Sequence, residues 1–181
     1  MYKTHRINTI FKNTFIELQN NDVENLTNNY QFKHIKMIEN GSITPGSAII
    51  CEMNNKFLLL KNYRYGVDKE CIEVPRGYIE KNEDIVHCAI RELCEEISIA
   101  QSSIISTEIL GHVNTNSSIL ASNVAIVHIK LLHDCVLSVQ RDESITDYYW
   151  YSIDEIKNLI ARNIILDSFS ISGFMLYMIK K

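Results

Sequence analysis

Glu92, Glu95 and Glu96 fall at i, i+3 and i+4 within a stretch of helical periodicity. On a helix, three residues so spaced bring their side chains together on one face. Like charges that close destabilise a bare helix, and a divalent cation between them reverses the sign of that energy. An all-oxygen donor set suits Mg2+ or Mn2+, and Mg2+ is usually held by a few carboxylates together with phosphate oxygens. The chemistry on offer is therefore phosphate binding and metal-assisted activation of water. The ordinary alternative is a solvated acidic helix face, and the residues around the three carboxylates decide between the two.

The helix that carries them is legible from Glu83 to Ile97, where Ile85, Ala89, Leu93 and Ile97 recur every four residues and form a stripe to be buried. Arg91 can bridge carboxylates and fix their rotamers, and Glu83 sits near the positive end of the helix dipole. Gly77, just upstream, permits a tight backbone approach or a positive φ. Cys88 and Cys94 read as small packing residues. Before the helix, the apolar runs Ser47–Met53 and Lys56–Tyr63 flank Asn54-Asn55, a hairpin signature. Cys71–Pro75 is a further short strand. After the helix come strand-like runs at Ile104–His112 and Asn123–Leu132, around an Asn/Ser-rich loop at 114–118, and a short strand at Asp147–Tyr151. Ser152 with Glu155 forms a capping box for a helix from Ile153 to about Arg162. A last helix starts near Asp167, with Ile171, Phe174, Met175 and Met178 as its apolar stripe. Residues 1–45 are Asn-rich, with apolar clusters at 10–18 and 30–38 that could form a few strands. Strands and helices in this order give an α+β protein or an α/β/α sandwich.

The chain has 181 residues, 18 Lys and Arg against 22 Asp and Glu, and five cysteines. It is long enough for one domain with an extension. A mildly negative chain without a basic stripe argues against nucleic acid as a partner. Irregularly spaced cysteines without a secretory segment read as reduced thiols in a cytoplasmic protein. No apolar run approaches membrane-spanning length.

The run Gly77 to Ile99 has a spacing of its own. Gly77 is followed after five residues by Glu83, and after seven more by Arg91-Glu92-Leu93, then Glu95-Glu96 and Ser98-Ile99. It resembles the Nudix box, the metal-binding signature of hydrolases that cut nucleoside diphosphates linked to another group. Every specified position matches except the closing Gly, here Ser98. At average residue usage the Gly, Glu and Arg positions coincide by chance roughly once in ten million starts. Gly tolerates a left-handed helix C-cap, and Ser can manage a related turn at a penalty of about 1 kcal/mol.

Outside the box, Asn62-Tyr63-Arg64-Tyr65, Glu73-Val74-Pro75-Arg76-Gly77 and the C-terminal segment are similar to ADP-ribose pyrophosphatase-like members of that family. A Pro about fifteen residues past the box, associated with ADP-ribose preference, is missing from 112–118, and Arg76 stands where Ala is usual. The resemblance implies an α/β/α sandwich with a curved mixed sheet and a small N-terminal strand region. It implies a Nudix hydrolase domain over 46–181, and a homodimer formed through 1–45. It implies a metal held by Glu92, Glu95, Glu96 and the main-chain carbonyl of Arg76, with Mg2+ as cofactor and Mn2+ possible. Glu143 matches the place of the general base, with Asp142 and Asp147 as runners-up; a solvated loop acid is the alternative for Glu143. Glu95 and Arg91 join it in the catalytic set. Arg64, Arg76 and Glu73 are the substrate-binding candidates, while Gly77 and Glu83 are structural. Arg64 is either a phosphate clamp or part of an ion pair; the Arg76 guanidinium either contacts a phosphate or points to solvent. The implied reaction is cleavage of ADP-ribose to AMP and ribose 5-phosphate. A nucleotide sugar such as GDP-mannose or a dinucleotide is the alternative substrate, and a non-catalytic ADP-ribose sensor the alternative class.

Overall fold

The computed structural model describes residues 1–135, 137, 138 and 145–181. Glu143 and Asp142, two of the three candidates for the general base, lie outside the described residues. The chain divides into two units, 1–45 with 114–123, and 46–113 with 124–181.

The first unit is an antiparallel sheet of β1 (Tyr2–Arg6), β2 (Thr9–Lys12), β3 (Ile16–Asn25) and β4 (Tyr30–Glu39). β4 pairs with β3 along its whole length, from Ile16 opposite Glu39 to Asn25 opposite Tyr30, while β1 and β2 share the other edge of β3. The weak apolar clusters of 1–45 thus become strands. Residues 114–123, which follow a loop signature in the sequence, join this sheet: Met37 N donates to Ile119 O at 2.8 Å, and Ala121 N donates to Met37 O at 2.9 Å.

The second unit is built on a mixed sheet. The expected hairpin is β5 (Gly46–Met53) and β6 (Lys56–Arg64), closed by Asn54 and Asn55 at φ 53° and 59°. Two successive left-handed residues are what a two-residue type I′ turn demands, and Asn accepts that region at low cost. β7 (Lys69–Glu73) pairs with β6, and β8 (Arg76–Tyr78), too short to announce itself in the sequence, pairs with β5. β9 (Ile104–Val113), β10 (Val124–Leu131) and β11 (Ile145–Tyr151) complete the order β11-β6-β5-β10-β9. The β5–β10 pair is parallel and every other pair antiparallel.

Helices cover both faces. α1 (Ile85–Ile97) buries Ala89, Leu93 and Ile97 against Ile49, Leu58, Leu60, Val127 and Ile129. On the other face, α2 (Ile153–Ala161) and α3 (Ser168–Lys180) bury Ile156 and Phe174 against Ala48, Ile50, Phe57 and Ile126. Each fully buried aliphatic or Phe side chain contributes about 1.5–3 kcal/mol, so the two stripes of β5 and β6 hold the layers together. This is the expected α/β/α arrangement. α1 begins two residues later than the periodicity suggests, because Asp84 accepts from His87 N and caps it. The Ser152–Glu155 capping box is present in full, and Asp167 caps α3. All five cysteines are thiols outside any disulfide. Among the described residues, no helix is long and apolar enough to cross a membrane.

Candidate functional site

Two adjacent residues of β8 serve opposite faces of the sheet. Arg76 pairs in register with Ala48, which faces α2 and α3; Gly77 pairs with Ser47, whose hydroxyl lies 3.5 Å from the Cys88 thiol on α1. Two glycines make this possible. A Cβ on Gly46 would sit 2.0 Å from the carbonyl oxygen of Gly77, and a Cβ on Gly77 would sit 1.7 Å from the carboxyl carbon of Glu92. Of the two uses open to Gly77 in the sequence, the structure takes the close approach. Its φ is not in the left-handed region, and the reason is the carboxylate packed against it.

Arg91 organises the acidic face of α1. Its Nε and Nη2 donate to the two carboxylate oxygens of Glu83 at 2.9 and 3.0 Å, and Nη2 also donates to Tyr78 O at 2.8 Å. Its Nη1 donates to Glu92 Oε1 and Glu95 Oε2, both at 2.9 Å. One guanidinium thus ties the loop after β8 to the start of α1 and sets the rotamers of two box carboxylates. The hydrogen bonds from Arg91 hold the Glu83 carboxyl below its ordinary range despite partial burial, and Glu83 in turn pushes the Arg91 pKa up. Glu96 is buried on the same helix. The helix ends at Ser98 with φ 52°, the left-handed C-cap that the missing Gly would have taken. Burial raises the pKa of the Cys88 and Cys94 thiols, in keeping with packing roles.

As they stand, no three His, Cys, Asp or Glu side chains among the described residues are drawn together tightly enough to hold a metal ion. Glu92 and Glu95 turn oxygens to Arg91 instead. The residues nevertheless fit a hard divalent cation. The donors are all carboxylate oxygens, and the missing Cβ of Gly77 brings the backbone of β8 into contact with Glu92.

A second charged cluster surrounds Glu73, whose side chain is 1% exposed. Asn62 Nδ2 donates to its Oε1 at 3.0 Å, Arg64 Nε donates to the same oxygen at 2.8 Å, and Arg64 Nη2 adds a further bond to it. Arg76 Nη2 reaches Oε2 at 3.4 Å, while its Nη1 donates to Asp167 Oδ1 at 3.1 Å and its guanidinium lies 5.1 Å from the Phe169 ring centre. The other oxygen of Asp167 accepts from Ser170 N and Oγ, and Ser170 Oγ accepts from Val74 N. Asn62 and Arg64 are in step along β6 with Leu58 and Leu60, which face α1, and the charge of Glu96 acts on Arg64. Burial lowers the Arg64 pKa, but Glu73 more than offsets this and raises it.

Sequence reasoning left two uses open for the Arg76 guanidinium, a phosphate or solvent. In the structure it engages carboxylates: Arg76 pairs in register with Ala48, its Nη1 donates to Asp167 Oδ1, and its Nη2 reaches Glu73 Oε2. For Arg64, it is the ion pair that is present. Asp147 lies exposed on β11, its carboxylate accepting from Tyr148 N. The sequence did not point to Asn62, Asp167 or Phe169 as members of a charged cluster. Asp167 was legible as the start of a helix, but its partner Arg76 is 91 residues away.

This box on the first helix, against a mixed sheet with helices on both faces, defines a Nudix-type domain. The family model described as NUDIX domain matches residues 45–168, and the chain belongs to that family. It is similar to a methanol dehydrogenase activator from Bacillus methanolicus, 36% identical over 95 residues, which are 52% of this chain and 49% of that relative. The match thus spans about half the length of that relative. In fold it is similar to a crystal structure of an ADP compounds hydrolase, with a TM-score of 0.78 and 15% identity over 98% of this chain and 92% of the other. At that identity the likeness is one of fold.

Proposed function

We propose that the protein is a metal-dependent Nudix pyrophosphohydrolase that cleaves the diphosphate bond of a nucleoside diphosphate derivative, with ADP-ribose as substrate and AMP and ribose 5-phosphate as products. The observation that carries this is the acidic face of α1, where Glu92, Glu95 and Glu96 are all kept and Glu92 is packed on Gly77. Glu92, Glu95, Glu96 and the carbonyl of Arg76 are the groups to hold Mg2+, or Mn2+, which when bound offsets phosphate charge and lowers the pKa of a water. Arg91 fixes the carboxylates, Arg64 clamps a phosphate, and Glu143 accepts the proton of the attacking water, with Asp142 and Asp147 as runners-up. Activity then calls for millimolar metal and an alkaline-leaning pH. A nucleotide sugar or a dinucleotide is the alternative substrate. The fold-level likeness to an ADP compounds hydrolase supports the adenine nucleotide.

The test is turnover of ADP-ribose, GDP-mannose, NADH, FAD and diadenosine polyphosphates with saturating Mg2+, in the native protein and in Glu95→Gln and Glu96→Gln. Near-normal rates in both variants would sink the assignment. The similarity to an activator of another enzyme favours one second reading, in which the domain binds a nucleotide such as ADP-ribose without cleaving it. Binding without turnover across the panel would select it.

A homodimer completes the proposal. The first unit leaves Tyr2, Ile10, Phe11, Phe15 and Tyr30 exposed, and a twofold partner is the commonest way to cover such surface. Sedimentation equilibrium at micromolar protein checks it; a monomer mass at all concentrations rules the dimer out.

A further inference from the structure

We propose that Arg76 is the stand-in counter-ion for Glu73, so that Arg64 can leave that carboxylate for the diphosphate of a bound nucleotide. The proposal deepens the pyrophosphohydrolase reading and rests on it.

Three features of the Glu73 cluster lead there. The first is the unequal loading of the carboxylate. Among the described residues, Oε1 receives Asn62 and two donors of Arg64, whereas Oε2 receives one donor of Arg76, at 3.4 Å. A fork that spends two donors on one oxygen is not the strong bidentate pairing of a guanidinium with a carboxylate. The 3.4 Å contact has room to shorten. The second is the difference between the two cations. Arg76 is 25% exposed and anchored by Asp167 and the Phe169 ring. Arg64 is 38% exposed, lies in step with the α1 face and is acted on by Glu96, a box carboxylate. Of the two, Arg64 is the one placed to turn toward an anion at the box. The third is an open acceptor. Among the described residues, Asn62 Oδ1 is buried without a hydrogen-bond partner beside the same cluster. A spare buried acceptor next to two guanidinium groups suits a cluster with more than one hydrogen-bond arrangement.

The physical need for a stand-in follows from burial. A carboxylate with 1% of its side chain exposed cannot be left uncompensated, because removing one partner of a buried ion pair strands a charge. A lone Arg64–Glu73 pair would therefore resist giving up its guanidinium to substrate. With Arg76 already at the second oxygen, Glu73 stays paired when Arg64 departs. Arg76 is thus a positioning residue, acting through Glu73 and Arg64 and touching no substrate atom.

The test follows the arginine side-chain Nε–H signals by NMR in the native protein, assigned from their loss in Arg64→Lys and Arg76→Lys, while ADP with Mg2+ is added to millimolar concentration. The expected result is a large shift of the Arg64 signal with that of Arg76 retained. In Arg76→Gln, ADP should bind about tenfold more weakly, the equivalent of one charge-assisted hydrogen bond, with Arg64 unmoved. Arg76→Lys, which keeps the charge, should recover part of the affinity. An Arg64 signal that stays put in the native protein overturns the proposal, and so does native affinity in Arg76→Gln. If Arg76→Gln does not fold, the native Arg64 and Arg76 signals decide alone. Turnover without movement of Arg64 defeats this exchange and leaves the pyrophosphohydrolase reading standing; movement of Arg64 without turnover of any diphosphate does the reverse.

Discussion

The two charged clusters of the second unit are opposites in composition. On α1, one guanidinium, Arg91, serves three carboxylates, Glu83, Glu92 and Glu95. At Glu73, two guanidinium groups, Arg64 and Arg76, serve one buried carboxylate. The first cluster is short of positive charge, and a divalent cation would supply it. The second balances two guanidinium groups against two carboxylates, because Arg76 also pairs with Asp167. The two clusters share one link, the charge of Glu96 acting on Arg64, and substitutions at each show how far they depend on one another.

The largest effect is expected at the point where β8 touches α1. Gly77→Ala puts a Cβ within 1.7 Å of the Glu92 carboxyl carbon. Turnover should fall by about 100-fold or more, the scale of displacing a group that orients a metal ligand. ADP-dependent movement of Arg64 should persist if the clusters are separate, and steady-state rates alongside the NMR shift check both.

Arg91→Gln comes next. Losing the residue that orients Glu92 and Glu95 should cost about 10–100-fold in turnover. It should also alter the acid limb of stability. The Glu83 carboxyl is depressed in the folded state by Arg91, so its contribution is present above the ordinary carboxylate pKa of about 4.3. It is lost as pH falls through the lower folded value. In Arg91→Gln that stretch of the acid limb should flatten, as read from Tm between pH 7 and pH 3.

A third carboxylate sharpens the comparison because, among the described residues, it has no guanidinium partner. Glu52 is buried beside His128 Nε2 at 2.9 Å, accepts from Tyr177 at 3.0 Å and lies 3.5 Å from Lys130. Burial pushes its carboxyl up, but the hydrogen bonds from Tyr177 and His128 outweigh this and leave it below the ordinary range. Burial depresses His128, partly offset by Glu52. The unfolded chain therefore takes up a proton at His128 first, and stability should fall as pH drops below about 6.5. His128→Gln should remove that slope without changing turnover, as measured by denaturant unfolding at pH 7.5 and 5.5.

The smallest effect is at the far end of α1. Ser98 sits at φ 52°, and Ser98→Gly should relieve about 1 kcal/mol of strain. Tm should rise by about 2–4 °C, with turnover unchanged; calorimetry decides.

The acidic cluster was legible in the sequence because a helix turns local spacing into geometry. Once Ala89, Leu93 and Ile97 define the buried stripe, the face of Glu92, Glu95 and Glu96 follows. The cap at Ser152 and the turn at Asn54-Asn55 were legible for the same local reason. The Glu73 cluster was not, because its members meet through tertiary contacts: Asp167 lies 91 residues from Arg76, and nothing local to either encodes the other. The direction of the Arg76 side chain depends on β8, a strand of three residues, too short to show alternation. The first sheet was weakly legible because β1 and β2 are exposed along their whole length and so carry no apolar alternation. The loop read at 114–118 gave no hint that residues 119–121 bond to β4, because their partner, Met37, is distant in sequence.

The central claim, that the acidic face of α1 works with a divalent cation on a diphosphate, is tested most directly by measuring AMP release from ADP-ribose as Mg2+ is titrated into dialysed protein. The account predicts turnover that is absent in excess EDTA, saturates at millimolar Mg2+ and is lost in Glu96→Gln at every metal concentration. Full turnover in excess EDTA, or an unchanged metal dependence in Glu96→Gln, would contradict it.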